Sequence, residues 1–325
     1  MPPVINNRNQ TTDIFRLMLI SMVVAIHIDV FSSFSTLNFF TVDGYFRMAV
    51  PIFFIINGYY FQQYVTDINQ FKKWFYRAIL LFVVWQVIYL PMYLPLEGFT
   101  AQHTAVFVSE LIFGYHHLWY VAAMATGGLF LYYLKNVKSM LLLCVLLFII
   151  GWFLQYVRIF IHTDGVLFKI FSQYWIFRNG LFFGLPMMYI GAYIAKHSLV
   201  EKISASACAY ILVFSLLCLS LELWLTMRYL FDRMSYHIDF ILSLLLFCPA
   251  LFILLMKSDR VYFTQFNSKH LALIASAVYF IHPYVIAFVE YYHFSVTLNY
   301  VLTLVISLLI SGVLFYFRKK LFFIF

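Results

Sequence analysis

Residues 13–31 read DIFRLMLISMVVAIHIDVF, an apolar segment broken by Arg16 and His27. On a helix the eleven steps between them rise roughly 16 Å and leave the side chains only about 20° apart in direction. Both therefore point the same way, with Arg16 near one membrane face and His27 expected near mid-bilayer. A charged or titratable group in hydrocarbon costs roughly 2.5–3.5 kcal/mol even on the lenient insertion scale. Two on one face imply a polar pathway or a reaction site.

The surrounding sequence makes this a membrane segment. Hydrophobic residues form 64% of the 325 and charged residues only 10%, and mean hydropathy is +0.90, far from the usage of soluble domains. The charges cluster between apolar runs of about 20 residues, each long enough to cross a bilayer. Ten such runs lie near 15–34, 45–65, 74–94, 117–134, 140–160, 177–195, 206–227, 238–256, 271–291 and 295–317. The longest polar interval, 95–116, leaves no room for a soluble domain. The sequence predicts an all-α polytopic membrane protein of about ten spans. One domain covers 1–325, with a short N-terminal segment at 1–13 and a tail at 318–325.

Orientation follows from Lys and Arg placement. With the N-terminus inside, fourteen basic residues fall on inner segments: Arg8, Lys72, Lys73, Arg77, Lys135, Lys138, Lys196, Lys202, Lys257, Arg260, Lys269, Arg318, Lys319 and Lys320. Outer segments hold five, namely Arg158, Lys169, Arg178, Arg228 and Arg233, while Arg16 and Arg47 are intramembrane. Both termini are expected in the cytoplasm, so the net charge of +8 is mainly a topology signal. A nucleic-acid binder would need a basic soluble patch, and the sequence has none. Cys144, Cys208, Cys218 and Cys248 sit inside apolar runs without metal-type spacing and read as small buried hydrophobes. Residues 1–13 lack the marks of a signal peptide, so the first run is expected to remain as a membrane helix.

Other polar residues break the apolar pattern. The second run opens RMAVPIFFIINGYYF, with Arg47 at its outer end and Asn57-Gly58 deeper. Arg47 reads either as a snorkelling anchor or as a site residue, and Asn57 as interhelical glue or a donor. Pro51 is expected to free the carbonyl of Arg47. Asp13 reads as a helix-start cap, a dipole partner or a holder of Arg16. The fourth run opens GYHHLWYVAAM, with His116, His117 and Trp119 at the outer edge. Adjacent histidines point to different helix faces, so no metal is expected there. The sixth run, FRNGLFFGLPMMYIGAYIAK, carries Arg178 at its outer boundary and Pro186 within. In the ninth, SAVYFIHPYV, Tyr279 and His282 share a face and Pro283 is expected to bend the helix. Glu222 and Asp239 are expected to pair with Arg228 or Arg233.

In their order, these motifs resemble the acyltransferase family 3 membrane proteins, which O-acylate bacterial surface glycans. The resemblance is carried by Arg16-x10-His27, RMAVPIFFIINGYYF, HLWYV, FRNGLFFGLPMMYIGAYI and SAVYFIHP, and spans about 280 residues. The first two helices are also similar to the membrane domain of vancomycin-resistance serine racemases. Two departures stand out. Asn57-Gly58 replaces the family's usual Ser-Gly, so no role of that hydroxyl carries over. FKKWFYR, with Lys72, Lys73 and Arg77, keeps the charge of a paired-arginine motif but not its spacing.

The resemblance implies trans-bilayer transfer of acetyl from cytoplasmic acetyl-CoA, as cosubstrate, to a hydroxyl of a surface glycan or its lipid-linked precursor, in the inner membrane of a bacterium. A sugar hydroxyl near pH 7 needs a base as it attacks the thioester, and histidine has the suitable ordinary pKa. His27 is the expected base. Arg16 would neutralise a CoA phosphate or orient the pantetheine arm, with Asp13 holding it. Lys72, Lys73 and Arg77 would draw the anionic nucleotide. Asn57, Tyr279, Arg47 and His282 are candidate oxyanion donors. Arg47, Asn57, His117, Trp119, Arg178, Tyr279 and His282 are the expected substrate-binding set. A transporter of small molecules or amino acids would line its path with the same Arg and His. The partners expected are glycan and membrane lipid, with no metal and no nucleic acid. No motif specifies the acceptor or an oligomer.

Overall fold

A computed structural model describes residues 9–96, 98, 100–161, 170–231, 237–258, 267–318, 320–321 and 324. Arg8, Lys169, Arg233, Arg260 and Lys319 lie outside the described residues, as do most of the N-terminal segment and half of the tail. All regular structure among the described residues is helical. Twelve helices are labelled here: α1 Gln10–Ile28, α2 Ser35–Thr41, α3 Ala49–Phe61, α4 Ile68–Tyr93, α5 Ala101–Phe113, α6 Trp119–Leu134, α7 Met140–Val157, α8 Leu185–Lys196, α9 Ala205–Leu230, α10 Leu244–Lys257, α11 Lys269–Glu290 and α12 Val296–Tyr316. The chain is an all-α polytopic membrane protein. Seven described segments are long and apolar enough to cross a bilayer: α1, the stretch 35–64 that contains α3, α4, α7, α9, α11 and α12. The expected fourth, sixth and eighth runs fold as the shorter helices α6, α8 and α10, of 16, 12 and 14 residues.

The ends of α1 correct the reading of its sequence. Asn9 caps the helix by accepting from the Thr12 N–H at 2.9 Å, so the helix starts at Gln10. It stops at Asp29, which takes a left-handed conformation (φ 53°, ψ 55°) that Asp tolerates better than most residues. His27 therefore lies in the last turn of α1. Pro51 lies near the start of its helix. Tyr45–Met48 form a 3₁₀ turn and α3 begins at Ala49, which puts Pro51 in the first turn, where its missing N–H has no intrahelical role to lose. Pro186 likewise opens α8, after a π-helical turn at Gly180–Gly184.

Glycines set the packing around the site. A Cβ on Gly58 of α3 would fall 1.9 Å from the Met188 carbonyl oxygen of α8, and one on Gly191 of α8 would fall 2.0 Å from that of Ile55. The two backbones touch, as small residues permit in membrane bundles. This fixes Asn57, next to Gly58, against the bundle interior.

Candidate active site

Two cavities lie close together in the bundle, on either side of a thin wall of side chains. One, of about 290 Å³, is lined by Arg16, Val23, Val50, Asn57, Arg77, Tyr120 and Tyr279 among others. The other, of about 420 Å³, is lined by His27, Arg47, Glu110, His116, Trp119, Tyr174 and Arg178 among others. The wall between them is one turn or less thick. Val23 and His27 are one turn apart on α1, Arg47 and Val50 three residues apart, and Trp119 and Tyr120 adjacent, yet each pair divides between the cavities.

Histidines form that wall. The His27 ring centroid lies 4.5 Å from that of His116 and 5.1 Å from that of His282. His117 packs 5.3 Å from His282 and 5.1 Å from the Tyr279 ring. His117 and His282 are buried and line neither cavity. Tyr279 donates its hydroxyl proton to the His117 carbonyl. His116 takes a positive φ of 48° in the 3₁₀ turn His116–Leu118 that precedes α6, so the assumption of two faces of one regular helix does not hold there. His116 faces the cavity. No metal-binding group of three or more residues occurs among the described residues.

In the Arg16 cavity, Arg16 is held by the buried Asp13 at 3.2 Å. The other oxygen of Asp13 accepts from the Ser268 hydroxyl at 2.8 Å. Asn9, and not Asp13, is the helix cap. The Asn57 amide donates to the Tyr120 hydroxyl oxygen at 2.5 Å and approaches the Met124 sulfur at 3.2 Å. Tyr120 thus accepts from Asn57 and keeps its own O–H to donate. Arg77 reaches the cavity, whereas Lys72 and Lys73 are exposed and do not line it.

The His27 cavity rests on an ion-pair lattice. Arg47 is buried and donates to the Val42 carbonyl at 3.1 Å, to Asp239 at 2.7 Å and to Asp43 at 2.8 Å. A snorkelling anchor would reach outward, and this guanidinium is held from inside. Arg178 donates through Nε to the second oxygen of Asp239 at 2.8 Å, and its Nη2 pairs with the same oxygen. Asp239 therefore bridges Arg47 and Arg178, where Arg228 or Arg233 had been expected as its partner; Arg233 lies outside the described residues. Gln155 orients the loop by accepting from the backbone N–H groups of Asp239 at 2.7 Å and Phe240 at 2.9 Å. Glu222 holds backbone as well. It accepts from the backbone N–H groups of Leu242 at 2.8 Å and Ser243 at 2.9 Å, and from the Ser243 hydroxyl at 2.7 Å. Those N–H groups lie just before α10, where a carboxylate also opposes the helix dipole.

Of the expected set, the structure brings Arg16, Asn57, Arg77 and Tyr279 to one cavity, and His27, Arg47, Trp119 and Arg178 to the other. His117 and His282 stand between them. Sequence reasoning missed Tyr120, Asp43 and all of α5, whose Ser109, Glu110 and Phe113 line the His27 cavity. The signal for α5 was available: Thr100 precedes it and caps the His103 N–H at 3.2 Å, and Gly114 ends it with φ 97°.

An all-α membrane protein whose two cavities abut at a histidine wall is the class this architecture defines. The acyltransferase domain family matches residues 9–316, and the chain belongs to it. The chain is similar to a serine/alanine racemase of Enterococcus gallinarum, at 26% identity over 96% of the chain and 46% of the relative. It is also similar to an amino-acid racemase of Enterococcus faecalis, at 28% identity over 71% of the chain and 34% of the relative. The chain thus spans less than half the length of these relatives. No solved structure matches.

Proposed function

We propose that the protein transfers acetyl from acetyl-CoA to a hydroxyl of a bacterial surface glycan or its lipid-linked precursor, across the inner membrane. The observation that carries this reading is the one-turn wall between the Arg16 and His27 cavities. It lets a thioester held at one face meet a hydroxyl held at the other with no substrate crossing the bilayer. With the N-terminus inside, the Arg16 cavity opens to the cytoplasm, and α6, α8 and α10 complete their crossings with the turns that flank them. Arg16, set by Asp13, and Arg77 then receive the pantetheine arm and phosphates of CoA. The paired aromatic and polar lining of the His27 cavity, Trp119, Tyr174 and Trp175 with Ser109 and Gln173, suits a sugar, whose C–H faces pack on rings while its hydroxyls hydrogen-bond.

His27 acts as general base. It takes the hydroxyl proton as the oxygen attacks the thioester carbonyl, and returns it to the thiolate when the C–S bond breaks. The free O–H of Tyr120, polarised by Asn57, is the supported oxyanion donor. Arg47 and Arg178 hold the cavity through Asp239 and present the acceptor.

The test is transfer of radiolabelled acetyl from acetyl-CoA to glycan in membranes holding wild-type protein or His27→Ala. The base role predicts a loss of about 10²–10⁴-fold. Near-normal transfer by a well-expressed His27→Ala protein would refute it. The racemase names of the relatives favour a second reading, transport of a small amino acid through the same two cavities. Uptake of labelled serine without acetyl incorporation would establish that reading in its place.

A further inference from the structure

His282 is wholly buried between the two cavities, and the helix around it has an unusual bonding arrangement. In a regular helix the N–H of residue 283 would donate to the carbonyl of residue 279. Pro283 has no N–H, so the Tyr279 carbonyl is released. The His282 Nδ1 lies 2.7 Å from that carbonyl oxygen and 3.2 Å from that of Val278. Carbonyls only accept, so Nδ1 carries the proton and Nε2 carries the lone pair. Nε2 is buried and has no hydrogen-bond partner among the described residues. The His27 ring, its centroid 5.1 Å away, faces the His282 ring at an interplanar angle of 38°.

We propose that His282 is a positioning residue for His27: its bare Nε2, fixed by the Tyr279 carbonyl that Pro283 releases, takes the N–H of His27 once the His27 ring turns toward it, and so selects the His27 tautomer whose other nitrogen faces the acceptor hydroxyl. This rests on the acyl-transfer reading and gives it an orienting group. A base needs its lone pair on the reactive side, and a second-side acceptor supplies that choice. A carboxylate would do the same, at the cost of a further charge inside the bilayer. A neutral imidazole adds none. In the transfer step the hydroxyl proton moves to the free nitrogen of His27 as the C–O bond forms. The proton then passes to sulfur as the C–S bond breaks, while the N–H toward His282 stays in place throughout.

Pro283→Ala isolates this role, because it touches neither cavity and restores a better helix former. The returned backbone N–H competes for the Tyr279 carbonyl and frees His282 to exchange tautomers. The experiment is solid-state NMR of the full chain in lipid with ¹⁵N-labelled histidine, beside initial-rate transfer from radiolabelled acetyl-CoA. His282→Ala identifies the His282 signals. In the wild type, His282 is expected as the Nδ1–H form and His27 as a single tautomer. In Pro283→Ala, both are expected as mixtures. The variant should melt no lower than wild type, with kcat lowered about tenfold or more, part of what a positioned base contributes, and KM for acetyl-CoA within about twofold. A His282 protonated on Nε2 overturns the proposal. So do His27 signals unchanged in both variants, or a tautomer change that appears at the neighbouring His117 and not at His27. If wild-type protein transfers no label, the acyl-transfer reading fails while the NMR result still decides the pairing.

Discussion

Arg47 spends every guanidinium nitrogen on a partner within the protein, and Asp239 divides its two oxygens between Arg47 and Arg178. Removing one member of a buried ionic set leaves the others uncompensated, at a cost of about 3–5 kcal/mol. Asp239→Asn should therefore lower the thermal midpoint in detergent and weaken acceptor binding together, and Arg47→Lys, which cannot span Asp43 and Asp239, should do the same. Asp13→Asn makes a narrower claim. It loosens Arg16 in the other cavity, so KM for acetyl-CoA should rise severalfold in initial-rate assays while acceptor dependence stays unchanged. The expense of Arg16 and His27 in an apolar run made both legible from sequence. Asp239 was legible as a charge but not as a bridge, because its partners are 192 and 61 residues away. Tyr120 was hidden among 25 tyrosines, since tyrosines at helix ends are ordinary membrane anchors and only the Asn57 contact sets this one apart.

At the scale of the element, close approach governs what the helices tolerate. Gly58→Ala or Gly191→Ala would drive a methyl into a facing carbonyl, so α3 and α8 must move apart. Overpacking of this kind costs about 1–3 kcal/mol, and here the shift also displaces Asn57 from Tyr120. Thermal unfolding in detergent should show the loss, with transfer activity falling further than stability alone explains. Hydropathy located most elements because burial in lipid demands long apolar runs. It could not locate the end of α1, which depends on the conformation of Asp29, nor α5, whose surroundings read as a polar interval. It also missed that Pro51 and Pro186 start helices, because a proline inside an apolar run looks the same whether the run is one helix or a turn followed by one.

At the scale of the whole molecule, the charge asymmetry and the two cavities make a joint claim about sides. Lys73 at the start of α4 and Thr104 on α5 are both exposed and belong to opposite faces under the proposed orientation. With Cys218 replaced by Ser, a membrane-impermeant maleimide should label Thr104→Cys in intact cells and label Lys73→Cys only after permeabilisation. The same orientation decides where the donor must be. Sealed vesicles of both orientations, supplied outside with radiolabelled acetyl-CoA, test it most directly. Acetyl incorporation is expected only in inside-out vesicles, where the Arg16 cavity is exposed to the donor, and is expected to be lost in His27→Ala. Equal incorporation in right-side-out vesicles, or incorporation that survives His27→Ala, would contradict this expectation.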